Sequence, residues 1–386
     1  MLDQKENPRI LVIRPDAIGD VMLMIPLLNS IKKTKPNSEI YTLQQSYTKP
    51  LLENHPAIQE VVLDWRKAGK VNSLVQFINY VKYIKSFKFD AVIFSYLDDF
   101  YAWLCWCARI PIRVGDGNKV MLRPLLNRAI RQNFRDITVH EVEQNIAFLS
   151  ALFTDSNIST TLNIIKDADH SIGMLGKGKL IGEHPTTGGG NRAWLPKRYA
   201  ELIDMIYQNT EYEVVLTGFG KKDSQVIDEI LLLCESHPIN TCNNYSLSQL
   251  KHLISHVDVM IGTDTGPTHM ASGLNIPVLC VSPTKFVKSS RWGPWETANI
   301  IVGQPQSCDL ICNPYKCELP NCLEAISAEM AFDSLKKLIN KEHKEDEKEH
   351  WFRNSIHLMV YILEIKDAKK LVEEQILDKI TNEGLR

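Results

Sequence analysis

The chain has 386 residues, a length that favours two domains over one. Its 44% hydrophobic and 23% charged residues are the composition of an ordinary soluble globular protein, and its longest apolar runs are broken by charges well before the length that spans a bilayer. A formal net charge of −2 argues against a dedicated nucleic-acid binder.

No basic stretch followed by an apolar run and a cleavage site opens the chain, so no signal peptide is expected. Residues 10–13 read as a strand and 21–33 as a helix, with Val21, Met24, Ile25, Leu28 and Ile31 on one face and a kink expected at Pro26. Strands follow at 39–43, 60–63 and 91–94, and a helix at 74–86. A polar stretch around 167–179 reads as a linker. A second series then begins, with strands at 179–182, 213–217, 258–261 and 277–281. Helices at 197–208, 223–234, 247–255 and 267–273 alternate with them, and Ser246 with Gln249 forms a capping box before the third. Two runs of alternating strand and helix predict two parallel sheets wrapped by helices, one over 1–168 and one over 169–340. Ligands bind outside the carboxyl ends of such strands, so two facing domains would enclose a cleft. The remainder, 341–386, holds the mixed-charge run KEHKEDEKEH and a helix-forming stretch expected to dock on the body, on a partner or on a membrane surface.

Three loops carry candidate chemistry. Between strand 10–13 and the first helix lie Arg14, Asp16, Gly19 and Asp20, in IRPDAIGDV. Neither G-x-G-x-x-G nor G-x-x-x-x-G-K-[ST] is present there, which disfavours a dehydrogenase or a P-loop kinase. Gly19 permits a tight turn or a close approach to a ligand. Asp20, at the mouth of the helix, has two readings: a cap held by the helix dipole, or a carboxylate at the strand edge available as a general base. Asp16 has the same two. In the second half, Asp264-Thr265-Gly266-Pro267 ends a strand and opens a helix with proline in its first turn. The N–H groups of Gly266, Thr268 and His269 are then predicted to be free donors, either an anion site suited to pyrophosphate or an empty helix start. GEHPTTGGGNR supplies Thr186, Thr187, three glycines and Arg192, whose forked cation suits phosphate oxygens. Thr217-Gly218-Phe219-Gly220 is a weaker signal of the same kind.

These segments resemble the family 9 glycosyltransferases, the bacterial ADP-heptose:lipopolysaccharide heptosyltransferases and their relatives. ILVIRPDAIGDVMLMIPLL is similar to their N-terminal signature and GTDTGPTHMASGLNIPVLCVSPT to their Asp-Thr-Gly-Pro-x-His block. RWGPW, ARIPIRVG and HEVEQNIAFL fit the rest of the pattern, so the likeness runs over about 9–330. The resemblance implies a GT-B fold of two Rossmann-like domains facing across a cleft, with the acceptor on the first and the nucleotide-sugar on the second. It also implies inverting, metal-independent transfer of heptose to the lipopolysaccharide inner core, with no cofactor. Asp20 matches the proposed catalytic base, and Thr186, Thr187 and Arg192 match the loop that contacts donor phosphates. Asp264, Thr265, Gly266 and His269 match the block around the pyrophosphate and sugar. Pro15-Asp16-Ala17-Ile18 stands where the family carries a serine-rich run, which leaves the acceptor, and with it Asp16 and Gly19 as acceptor contacts, as an expectation.

Arg109, Arg113, Lys119, Arg123, Arg128, Arg131 and Arg135 concentrate positive charge in the first domain. They read as a solvated surface or as a dock for an anionic acceptor or the inner membrane, with Arg123 and Arg128 as candidate acceptor contacts. Nine cysteines, an odd number, fit mostly free thiols in a reducing cytoplasm. Cys308, Cys312, Cys317 and Cys322 are not spaced as two C-x-x-C knuckles, so no metal site is expected there. YAWLCWCARI reads as buried packing. Transfer of another nucleotide-sugar to a different surface glycan, or non-catalytic nucleotide or glycan binding, are the competing readings.

Overall fold

Ile10, Leu11, Val12 and Ile13 are fully buried in the computed structural model, as a parallel strand covered by helices on both faces requires. The structure describes residues 2–132, 139–165, 178–187, 193–282, 289–303 and 324–340. The first lobe runs β1 (Arg9–Ile13), α1 (Ile18–Thr34), β2 (Glu39–Gln44), α2 (Lys49–Leu52), β3 (Glu60–Leu63), α3 (Leu74–Ser86), β4 (Ala91–Phe94), α4 (Asp99–Cys107), β5 (Ile112–Asp116), the 3-10 turn Val120–Leu125, β6 (Arg128–Ile130) and α5 (Glu141–Ile146). The second runs β7 (Leu180–His184), α6 (Pro196–Asn209), β8 (Glu213–Leu216), α7 (Lys221–Leu233), β9 (Ile239–Asn240), α8 (Leu247–Ile254), β10 (Val259–Gly262), α9 (Gly266–Gly273), β11 (Val278–Ser282), α10 (Ser289–Trp292), β12 (Asn299–Gly303) and α11 (Ala328–Ile339).

Each lobe is a six-stranded sheet with every described pairing parallel, in the orders β3-β2-β1-β4-β5-β6 and β12-β11-β10-β7-β8-β9. Both are the doubly wound Rossmann order, and together they form the GT-B architecture. In both sheets the chain reverses its direction of growth beside the first strand, between β1 and β4 and between β7 and β10. Such switch points leave a crevice at the strand ends, where ligands bind. The loops after β1 and β10 open there.

Local chemistry sets the element ends. Ser73 Oγ accepts from Gln76 N–H at the start of α3, and Ser246 with Gln249 closes a capping box on α8. Helix α1 has Asp20 in its first turn and Lys32 and Lys33 in its last, complementing its dipole, and it continues through Pro26. Aromatic and aliphatic side chains from α3 and α4 fill one face of the first sheet, around Tyr80, Ile84, Tyr101 and Leu104. In the second lobe Trp194, Ile203, Ile261 and Leu335 belong to one core, and Trp194 Nε1 donates to Ile326 O at 2.9 Å.

The sequence reading placed the long elements and missed α2, β5, β6, β9, β12, α4, α5, α10 and α11. Cys105 and Leu104 of α4 are buried, but Trp103 and Trp106 stand about half in solvent, which corrects the reading of that segment as wholly buried. The five described cysteines are free thiols. The boundary at 168/169, most of the linker around 167–179, Arg135, the four clustered cysteines and the segment 341–386 lie outside the described residues.

Candidate active site

The two lobes meet where α1 crosses α9, and glycines set the distance. A Cβ on Gly19 would lie 2.7 Å from His269 Cδ2, one on Gly266 2.7 Å from Ile18 Cγ2, and one on Gly273 2.7 Å from Met22 Cε. Only residues lacking that carbon allow the helices so close. Other bridges complete the junction. The buried Lys251 of α8 donates to Pro50 O of α2 at 3.0 Å. Beyond β11, the segment around α10 reaches back to the first lobe: Arg291 Nη2 pairs with Glu141 Oε2 at 2.9 Å and Trp295 Nε1 donates to Thr160 O at 2.8 Å.

His140 is the N-cap of α5, and its Nδ1 accepts from Val142 N–H at 3.2 Å. That leaves Nε2 as the donor to Gly293 O at 3.1 Å. Burial lowers its pKa to about 3, so the ring is neutral. The cap fixes Glu141 as the first helical residue.

Asp20 does not cap α1; Ala17 occupies that position and makes no side-chain bond. Asp20 instead accepts from Arg14 Nη2, and its side chain keeps 21% exposure on the cleft. Arg14 is the hub of a buried charge network. Its Nε lies 3.0 Å from Asp16 Oδ1, and its Nη1 donates to Glu141 Oε1 at 3.1 Å and to Ser95 O at 2.7 Å. Burial works against the guanidinium's charge, but Asp20, Asp16 and Glu141 raise its pKa above the ordinary arginine value. Burial likewise pushes Asp16 upward, against the pull of Arg14.

A cavity of about 1070 Å³ lies between the lobes. The first lobe contributes Ile18, Gly19, Asp20 and Tyr47; the second contributes Thr186, Thr187, Asp264, Thr265, Gly266 and His269. Strand β7 ends at His184, whose Nδ1 lies 3.0 Å from Thr217 O and whose Nε2 lies 3.2 Å from Thr186 Oγ1, which orients the Thr186 hydroxyl. At the start of α9, Thr268 Oγ1 accepts from Thr265 N–H at 3.0 Å and donates back at 2.7 Å to Thr263 O. Thr265 Oγ1 is buried without a hydrogen-bond partner, and so is His269 Nδ1. Unmatched buried polar atoms are costly, so two at a cleft mark places a ligand can satisfy. Burial lowers His269 to about 4 despite the neighbouring Asp20 charge, so it is a neutral ring near pH 7. Its backbone N–H is taken by Thr265 O at 3.1 Å and is not a free donor, unlike the sequence expectation.

Asp16 pairs with Arg14 behind the cleft, and Arg123 and Arg128 stand exposed on the 3-10 turn and β6. None of the three lines the cavity. Arg192 lies outside the described residues. Sequence reasoning missed Tyr47, His184, Lys221, Lys222, Tyr245 and Trp292, all of which line the cavity. For the lysines the signal was present: they follow the Thr217–Gly220 loop at the N-terminus of α7, where Gly220 has φ 87°.

Residues 78–322 match the family model for glycosyltransferase family 9 (heptosyltransferase). The chain belongs to that family. Among curated relatives of this family 9 glycosyltransferase is the lipopolysaccharide heptosyltransferase 3 of Escherichia coli K12. It is 27% identical over 300 residues, covering 73% of this chain and 84% of the relative. Among solved structures, the family 9 glycosyltransferase from Veillonella parvula superposes with a TM-score of 0.71 at 20% identity, over 86% of this chain and 97% of that one. The E. coli ADP-heptose lipopolysaccharide heptosyltransferase II gives 0.67 at 20% identity, over 87% and 100%. At that identity these two likenesses speak for the fold. Among the described residues, no group of acidic, histidine or cysteine side chains could hold a metal ion, and no helix is long and apolar enough to cross a membrane.

Proposed function

We propose that this family 9 glycosyltransferase transfers heptose from ADP-heptose to the lipopolysaccharide inner core, with inversion at the anomeric carbon. The observation that carries the reading is the meeting of Asp20 with the start of α9 across one cavity large enough for a nucleotide-sugar. On this reading the donor diphosphate lies at the N-terminus of α9. Thr265 Oγ1 and Gly266 N–H meet it there, Thr186 and Thr187 flank it, and Lys221, Lys222 and Arg192 supply positive charge. The acceptor hydroxyl approaches from the first lobe, opposite the leaving diphosphate. Asp20, oriented by Arg14, takes its proton as the new bond forms. Fixed amide dipoles and cations stabilise the departing charge and can do so without a metal. The domain division at 168/169, a cytoplasmic location with peripheral contact at the inner membrane, and an acceptor contact by Gly19 belong to the same proposal; Asp16, Arg123 and Arg128, expected as acceptor contacts from the sequence, lie off the cavity and are not part of it.

The test is Asp20→Asn. Donor affinity, measured by titration calorimetry with a non-transferable analogue, stays within about twofold, while ADP release with core acceptor falls about 100-fold or more, the scale for losing a general base. Unchanged turnover would remove Asp20 from the chemistry. Release of a different nucleotide from a panel of ADP-, GDP- and UDP-sugars would favour the competing donor.

A further inference from the structure

We propose that the outer layer formed by α3, α4 and the 3-10 turn Val120–Leu125 is a docking surface for an anionic lipid bilayer. The three elements lie over one face of the first sheet and share its aromatic core. Their outward sides carry large apolar side chains among the polar ones. Leu74 is 74% exposed at the start of α3, next to the exposed Val75 and Ile78. On α4, Trp103 and Trp106 are 49% and 47% exposed and pack edge to face with ring centroids 5.5 Å apart. Met121, at the tip of the turn, is 90% exposed. A recess of about 460 Å³ lined by Phe77, Phe100 and Trp103, with Arg66, Asp98 and Asp99 as its charged residues, joins α3 to α4. Exposed large apolar side chains on three neighbouring elements, with a half-exposed indole pair among them, mark a surface that something covers, and indoles settle at the headgroup level of a bilayer.

Charge identifies what covers it. From Arg66 to Lys88 the chain carries six cations, Arg66, Lys67, Lys70, Lys82, Lys85 and Lys88, and no Asp or Glu; all six are exposed. Arg109, Lys119 and Arg123, exposed around α4 and the turn, extend the cationic rim. Of the acids on this face, Asp98 is paired with Arg66, which takes one of the six cations, and Asp99 is exposed at the start of α4, so the cations remain in excess. A second copy would bring these cations against themselves. Anionic headgroups instead neutralise the rim, while the indoles and aliphatic side chains enter the interface. Lys119 Nζ also donates to Leu97 O just after β4, which ties the turn to the carboxyl edge of the sheet where the cleft opens. The helices at the lobe junction, α1 and α9, are not part of this layer, so docking leaves the cleft accessible. The proposal rests on the lipopolysaccharide reading only for its purpose, since a lipid-anchored acceptor explains why the acceptor-facing lobe would sit on a membrane.

The experiment is co-sedimentation of the full chain with vesicles of phosphatidylcholine alone and with about 30% phosphatidylglycerol, at low and high salt. The protein is expected on anionic vesicles, to be displaced by salt, and to show a blue shift of indole fluorescence. Lys82→Glu/Lys85→Glu and Trp106→Ser/Met121→Ser should each weaken partitioning about tenfold or more. Both should keep wild-type turnover on a water-soluble core fragment and lose it on acceptor embedded in vesicles. No vesicle binding by the wild type, equal binding by the variants, or conversion of a dimer to a monomer by Trp106→Ser/Met121→Ser without vesicle binding would each overturn the proposal. Absent turnover on every acceptor with vesicle binding intact would count against the catalytic reading alone.

Discussion

Glu141→Gln tests whether the buried charge network positions Asp20 or only holds the fold. The Glu141 carboxylate is 5% exposed and serves two guanidiniums, Arg14 of its own lobe at 3.1 Å and Arg291 of the other at 2.9 Å. Hydrogen bonds to charged groups contribute about 1.5–3 kcal/mol each, and removing one member of a buried pair costs about 3–5 kcal/mol. Arg14 keeps Asp16, Asp20 and Ser95 O, and the amide retains one acceptor oxygen, so the low end applies: a loss of about 3 kcal/mol of folding stability by denaturant titration. The amide's NH2 also faces a guanidinium where two donors cannot bond. The arginine that orients Asp20 then loses an anchor, and so does the segment that ties the lobes together. A displacement of about 1 Å can cost a hundredfold in rate, so turnover well below the melting temperature should drop by about tenfold or more. Nucleotide-sugar affinity, which the proposed reading assigns to the second lobe, should stay within about twofold. Lost stability with full turnover would refute the positioning role, and retention of both would refute the reading of Glu141 as a shared anchor.

Three further outcomes follow from single residues. Glu183 on β7 is fully buried, with neither oxygen hydrogen-bonded, and burial raises its pKa well above the ordinary value. The unfolded chain releases this proton as pH rises past the ordinary carboxylate range while the native state retains it, so stability falls by about 1.4 kcal/mol per pH unit there. Glu183→Gln should flatten that slope in denaturation curves between pH 5 and about 7, and parallel curves would exclude the carboxyl. Gly19→Ala sets a methyl against His269 and should cost about 1–3 kcal/mol by overpacking. His269→Ala should relieve part of that loss in the double variant, and simple additivity would show that the contact is not tight. Thr265→Val, which removes the unpaired hydroxyl, should weaken donor binding about tenfold by calorimetry with little change in stability, and unchanged affinity would take Thr265 out of the diphosphate site.

Much of this was legible in the chain itself. β3, α3 and β4 match the sequence reading residue for residue, because continuous aliphatic runs and a 3.6-residue period are strong signals in a doubly wound sheet. β9, with two residues, and β6, with three, have no periodicity to read. Asp20 was legible as a candidate base from its place after β1, whereas Thr265 and His269 entered as site residues through the resemblance to family 9. Their surroundings were not legible: Glu141 is 127 positions from Arg14 and 150 from Arg291, and only folding brings the three together. Gly19 was read as permitting a tight turn or the approach of a ligand, whereas the group packed against it is a histidine from the other lobe. His140 has no role in the sequence beyond its place in HEVEQNIAFL, and only the structure shows its ring as the cap that places Glu141.

The bare contacts between α1 and α9 have a consequence for engineering. Gly19, Ile18 and Met22 are matched to His269, Gly266 and Gly273 almost atom for atom, although some 250 positions separate them. A chimera that grafts the rear half of one relative onto the front half of another would inherit mismatched bulk at this seam. Recombining specificities between such enzymes therefore requires that the two helices travel as one unit, whatever else is exchanged.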